Sequence, residues 1–382
     1  MKLREKKGII KGLGRIFFIL LLVIGCVVIV YFTVMPRVTF GAESNPTGNP
    51  LGGGAGYRQV YSEHDARVTY IVDSRDEFLS ALAGAKAGNV IYIPENASID
   101  LSGILGTPIP EGVTIASNRG EHGSQGGRIF QERLPGDPTI SGGKERSMLY
   151  IEGNNVRITG LRLEGPDKTI ILLSSLGLGE RNGISVYDRN NLEVDNCELW
   201  GWSWSGVRIS FSNDGYAYVH HNYIHHCQDS GFGYGVVLYG GTALVEGNIF
   251  DYVKNPVAGA GHVGEGYEAR YNLVNHTTSL SHSFDIHPYT NPDTGLVIAG
   301  SSYKIHHNTV KEASVFAVGI GGVPLEGVWI DHNKFQWTIK SNVTYPPVSQ
   351  TKGVGKVYMT QNLIGTPEVL YEEGPVYVWY SG

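Results

Sequence analysis

The chain has 382 residues, of which 41% are hydrophobic and 17% charged, and carries a formal net charge of −6. That apolar share can fill a substantial core and excludes a disordered chain. Its 52 glycines follow no three-residue period, which excludes collagen and points to tight turns between short strands, and the negative charge excludes nonspecific nucleic-acid binding.

The first residues differ from the rest. Lys2, Arg4, Lys6, Lys7, Lys11 and Arg15, opposed only by Glu5, precede an unbroken apolar run over residues 16–35, which matches the roughly 20 residues that cross a bilayer core. The pattern predicts a basic cytoplasmic segment over 1–15 and a transmembrane signal anchor over 16–35. The remainder would then lie outside the cell, as a single-pass protein of the cell membrane. Without the anchor segment the chain has 24 basic and 35 acidic residues, about −11. Residues 36–66 are rich in Gly, Pro, Asn and Ser and read as a linker, with a folded domain over 67–382.

The domain opens with a strand and then a helical pattern over 74–87, with Phe78, Leu79 and Leu82 on one face and Asp73 or Ser74 as N-cap. An imperfect repeat follows. The segments VRITGLRL from Val156, LEVDNCEL from Leu192, AYVHHNYI from Ala217 and ALVEGNIF from Ala243 obey one rule, as do YEARYNLV from Tyr267, YKIHHNTV from Tyr303, VWIDHNKF from Val328 and VYMTQNLI from Val357. Each alternates apolar and variable residues, bends at a position that is usually Asn, and resumes with an apolar residue, the signature of a strand with one buried face. Asn222, Asn248, Asn272, Asn308, Asn333 and Asn362 are separated by 26, 24, 36, 25 and 29 residues, which suits one coil each of a parallel solenoid. Because Asn tolerates left-handed backbone angles and bonds to local backbone, these six should stack into an internal structural ladder. The helix should cover the first coil, and the aromatic stretch 371–380 the last. Of the three cysteines, Cys197 and Cys227 could pair if the coils bring them together.

This repeat resembles the pectate-lyase-like superfamily of right-handed parallel β-helix proteins over roughly residues 68–365. The resemblance implies an all-β, single-stranded right-handed parallel β-helix with a short capping helix. It does not fix an activity, because the superfamily includes lyases, hydrolases, epimerases and adhesins. VWIDHNKF looks like the pectate-lyase strand whose Asp binds calcium, which would make Asp331 a ligand. It lies near the last coil without a matching downstream arginine motif, and reads first as a repeat unit.

Each coil carries another strand before the repeat: residues 184–187, 207–210, 236–239, 261–264, 284–287 and 318–321. With the branched residues inward, Ser185, Tyr187, Arg208, Ser210, Tyr239, His262, Asp285 and His287 face out as one polar and aromatic stripe. Such a stripe suits β-elimination on a uronate-containing glycan. His287 or His262 would remove the proton, Arg208 would neutralise developing charge, and Tyr239 would protonate the leaving oxygen. Asp285 would orient a histidine or, with Glu265, bind a divalent cation such as Ca2+. Tyr187, Ser210 and His282 would contact the polysaccharide, with residues 166–182 and 288–302 as flanking walls. A noncatalytic glycan-binding, adhesive or structural surface is the alternative, followed by C5-epimerase or glycoside hydrolase activity.

Overall fold

The computed structural model describes residues 38–137, 143–169, 179–212, 215–229, 231–276, 282–311, 316–337, 347–366, 369–372 and 378–381. The run 16–35 read as a membrane helix lies outside them. Among the described residues no helix is long and apolar enough to cross a membrane.

The described chain winds into a right-handed parallel β-helix walled by three long sheets. Taken from the third sheet, a coil passes to the first, turns at the asparagine, continues in the second and returns, as in Asn182–Tyr187, Leu192–Asp195, Glu198–Trp200 and Ser205–Ser210. The alternation of the repeat places its branched residues inside. Val194, Val219, Val245, Ala269, Ile305 and Ile330 are successive register partners in the first sheet, and all are fully buried. Burial of a Val or Ile side chain stabilises by about 1.5–3 kcal/mol, so the stack is held by a term repeated at every coil. The helix Arg75–Gly84 buries Phe78 and Leu82 on the first coils, as its pattern predicts. Ser74 is its N-cap but makes no side-chain cap bond, and Glu77 instead accepts from the Asp73 N–H at 3.1 Å. At the other end Leu370–Glu372 pairs antiparallel with Leu363–Gly365, and Val378–Ser381 adds a parallel strand to the third sheet.

All six ladder asparagines are fully buried. In each step the backbone N–H and the side-chain amide of one Asn both donate to Oδ1 of the next, as from Asn222 to Asn248 at 2.9 and 3.0 Å. The amide also reaches a first-sheet carbonyl on the coil before, Val194 O for Asn222 at 2.8 Å. The left-handed angle expected at the asparagines belongs instead to the residue before each. His221, Tyr271, His307, His332 and Gln361 have φ of 51 to 54° and Gly247 has 64°. The turn is made one residue early, which leaves the Asn free to point inward and bond along the stack.

The conditional pairing of Cys197 and Cys227 is not realised, and the linker expectation is corrected. Both cysteines are free thiols, each fully buried in the apolar core. The stretch read as a linker is, from Phe40 onward, part of the same compact unit as the coils. It forms a strap along the ladder corner, running from the later coils to the earlier ones. Gly41 N–H donates to His332 O at 2.9 Å and Gly52 N–H to Gly247 O at 2.8 Å. Gly54 N–H donates to Asn196 Oδ1 at 2.7 Å, and the Tyr57 hydroxyl to Asp195 at 2.8 Å. Glycine is needed where the strap lies against the wall: Gly53, with φ of 68°, lies so close to the His221 carbonyl that a side chain would clash.

Candidate active site

The stripe residues lie on the outer face of the third sheet, where in Tyr234–Tyr239 an irregularity sets which side chains emerge. Tyr234, Val237 and Tyr239 form an outer apolar cluster with Ala258 and Trp204, while Val236 and Leu238 enter the core. Register then places Arg208, Val237, Ala258 and Asp285 in one row, and Tyr187, Ser210 and Tyr239 in the next. Arg208 and Asp285 are therefore three strand spacings apart, roughly 14 Å, and the face holds two groups rather than one.

The first group surrounds Arg208. Its guanidinium carbon lies 4.4 Å from the Tyr239 ring centre and 5.3 Å from those of Tyr187 and Trp204. Arg208 makes no ion pair or hydrogen bond among the described residues, and its Nε and the Tyr187 hydroxyl are buried without a partner there. Burial pushes the Tyr187 and Tyr239 phenols above their ordinary pKa, against the opposing pull of Arg208. Arg146 lies over the other part of this cluster, 4.3 Å from the Trp204 ring centre and 3.4 Å from Glu180.

The second group centres on Asp285 and His287, i and i+2, with His287 just past the strand Phe284–Ile286. His287 Nε2 is 3.1 Å from Asp285 Oδ2, His282 Nδ1 is 3.6 Å from Oδ1, and Asn255 Nδ2 donates to Oδ2 at 3.3 Å. Burial would raise the Asp285 pKa, but the His282 and His287 imidazoles outweigh it and hold the carboxyl below the usual range. The Asp285 bond in turn raises His287 above an ordinary histidine, against burial. His282 is accommodated because Gly319, the register partner of Asp285 on the next coil, has no side chain to run into its ring.

Lys254, Asn255 and Tyr234 complete this group and were not singled out by the repeat. The Lys254 ammonium lies 5.8 Å from the Tyr234 ring centre, and the Tyr234 and His287 ring centres are 6.4 Å apart. Burial lowers the Lys254 pKa, with Asp285 acting in the opposite sense. The sequence signal for this coil was weak: its strand is Asn255–Gly259, which ends before the expected 261–264 begins, and contains Pro256 among small residues. His262 therefore lies beyond the strand, its ring centre 4.5 Å from that of Tyr289 and 6.3 Å from that of Tyr239, and burial lowers its pKa.

One expected position is corrected and another is qualified. Ser185 is the register partner of Arg208 and lies between the core residues Ile184 and Val186, so it has the expected outward facing, but it is covered there: it is fully buried and its Oγ receives the Ser147 hydroxyl at 2.6 Å. Glu265 is also fully buried, its oxygens taken by the N–H groups of Gly261 and Gly240 at 2.7 Å each and by the Tyr303 hydroxyl at 3.1 Å. Burial pushes its pKa up to about 7. A calcium ion wants six to eight oxygen ligands. Asp285, ringed by nitrogen groups, and Glu265, committed to the wall, do not fit one. Among the described residues, side chains grouped closely enough to share an ion are instead His306, His307 and Asp331, and Glu193, Asp195 and His220, both on the first sheet. Of the flanking walls, part of residues 166–182 lies outside the described residues, while 288–302 contributes the antiparallel pair Tyr289–Thr290 and Val297–Ile298.

Residues 147–360 match the family model described as the right-handed beta helix region. No curated protein matches the chain. Among solved structures, the chain is similar to an alginate lyase from Paenibacillus sp. str. FPU-7, at 16% identity and a TM-score of 0.51, covering 83% of this chain and 99% of that one. It is also similar to the catalytic unit of a thermostable GH87 alpha-1,3-glucanase from Streptomyces thermodiastaticus strain HF3-3, at 12% identity and a TM-score of 0.25, covering 91% of this chain and 68% of that one.

Proposed function

Since the chain belongs to the right-handed β-helix family, whose activities differ by what the wall displays, we propose that its third-sheet face binds a uronate-containing polysaccharide and cleaves it by β-elimination. The observation that carries this reading is Arg208, a guanidinium set among three aromatic rings with no carboxylate partner among the described residues. A sugar carboxylate supplies the missing charge, and the rings offer apolar faces to the sugar. The similarity to an alginate lyase is consistent with that substrate class.

The Asp285 group would carry the reaction. Neutral His287 takes the proton on the carbon beside the carboxylate, and the electron pair forms a carbon–carbon double bond as the glycosidic C–O bond breaks. The leaving oxygen is then protonated, with the Tyr234 phenol, whose ring centre is 6.4 Å from that of His287, as the donor. Lys254 is placed to offset charge on the reacting carboxylate, the task first given to Arg208. Arg208 and Tyr239, some coils away, would grip a neighbouring sugar with Tyr187 and Ser210. The apolar run 16–35 would hold this domain at the outer surface of the cell membrane.

The test is incubation of the full chain with polymannuronate, polyguluronate and polygalacturonate while ultraviolet absorbance is followed. An unsaturated product that is lost in His287→Ala supports the reading. Saturable binding without turnover on all three would instead make the face a glycan-binding surface.

A further inference from the structure

Away from the third sheet, the ladder corner of the first sheet gathers imidazoles. His306 and Asp331 are register partners on successive coils, and His307 follows at the left-handed corner with φ of 53°. The Nδ1 atoms of His306 and His307 face each other at 2.9 Å, and each finds the Asp331 carboxylate within 4.8 Å. All three side chains are partly exposed.

A second observation orients the first ring. His306 Nε2 is bonded at 3.2 Å to Glu268 Oε1 on the coil before. A carboxylate only accepts, so in the neutral ring Nε2 carries the proton and Nδ1 keeps its lone pair, accepting from His307 Nδ1–H; His307 moves that proton to its Nε2 when both Nδ1 atoms face an ion. A carboxylate behind an imidazole in this way fixes the tautomer and ring of metal-binding histidines. Asp331 Oδ1 accepts from His332 Nδ1 at 2.5 Å, while its other oxygen accepts no bond among the described residues.

The comparable group on earlier coils, with Asp195 five register steps before Asp331, shows the contrast. There the Asp195 oxygens receive Arg157 at 2.8 and 2.7 Å, Thr159 at 2.9 Å and Tyr57 at 2.8 Å, so that carboxylate is consumed by the wall and the strap. No arginine reaches Asp331 among the described residues.

We propose that His306, His307 and Asp331 bind a divalent transition-metal ion of the zinc class and so clamp two successive coils. Two imidazole nitrogens and one carboxylate oxygen suit Zn2+, with a position left for water, whereas calcium requires a cage of oxygens. Nothing in the glycan reading depends on this site, which lies on a different sheet.

The test is calorimetric titration of the untagged, chelator-stripped full chain with Zn2+, with Co2+ absorption as a report on the ligands. One Zn2+ should bind at micromolar concentration or tighter and raise the melting temperature. Asp331→Asn and His307→Ala should each weaken binding at least about 10-fold, and Glu268→Gln, which touches no ion, by about 10-fold or more. Absence of binding at millimolar Zn2+ overturns the proposal. So does unchanged affinity in Asp331→Asn or His307→Ala, each tested singly so that one variant serves if the other fails to fold. Displacement of bound Zn2+ by equimolar Ca2+ would overturn the nitrogen-ligand assignment.

Discussion

Asn272 donates twice to the same oxygen of Asn308, from its backbone N–H at 2.9 Å and from its side-chain amide at 3.0 Å. Its own Oδ1 receives the identical pair from Asn248, and its amide also reaches Val245 O at 2.8 Å. Replacing it by Leu, of similar volume, leaves the Asn248 N–H without an acceptor and the Val245 carbonyl without this donor. Each unsatisfied buried group costs about 1–3 kcal/mol. Asn272→Leu should therefore lower the denaturation midpoint by several degrees in one cooperative transition, read by circular dichroism. An unchanged midpoint would mean that the stack tolerates a missing rung.

Glu265 ties stability to pH. Its folded pKa of about 7 lies above the ordinary 4.5, so the folded chain keeps a proton that the unfolded chain has released. The resulting stabilisation is complete below pH 4.5 and is lost as pH rises through 7, on the order of 3 kcal/mol in all. Glu265→Gln leaves one backbone N–H poorly met but cannot ionise. The stability of the wild type relative to this variant, measured by urea denaturation, should fall across that window. A difference independent of pH would show that the carboxyl does not titrate there.

The coil architecture was legible because alternation and the asparagine register report the same thing, which side of the wall each residue faces. The strap was not, since Gly41, Gly52 and Gly54 attach through backbone N–H groups and no pattern of side chains betrays it. On the candidate site, Asp285 and His287 were found as i and i+2 neighbours. Lys254, Asn255 and Tyr234 were missed because Pro256 and small residues blur the alternation of one coil, and an irregularity shifts the facing of Tyr234. From sequence, Arg208 takes a role at the reacting sugar although its strand is three coils from that of Asp285, a separation the order of the repeats already contained.

Arg208 is expected to act through binding. Arg208→Gln removes the charge while keeping a polar side chain among the same rings, so the fold should persist. Because a hydrogen bond to a charged group is worth about 1.5–3 kcal/mol, KM for a uronate polymer should rise by roughly 10-fold or more with kcat little changed. Added salt should raise the wild-type KM more than that of the variant. A fall confined to kcat would place Arg208 at the reacting sugar instead.

Asp285 is expected to set the pH at which His287 works. The carboxylate raises the His287 pKa, so the imidazole is protonated at pH values where an ordinary histidine is already neutral. If His287 removes the proton as a neutral base, wild-type kcat/KM should climb with pH to a plateau lying above the ordinary histidine range. Asp285→Asn keeps the shape of the side chain but removes its charge, so the His287 pKa falls and the rising limb should move to lower pH. The same change takes away the group that aims the ring and strengthens it as a base, so the plateau itself should drop by on the order of 10²-fold. The two effects oppose each other below the wild-type plateau, and the measured loss should shrink as the assay is made more acidic. A rising limb unmoved by Asp285→Asn would show that His287 is not the titrating group, and Lys254, whose pKa burial lowers, would then be the base to examine.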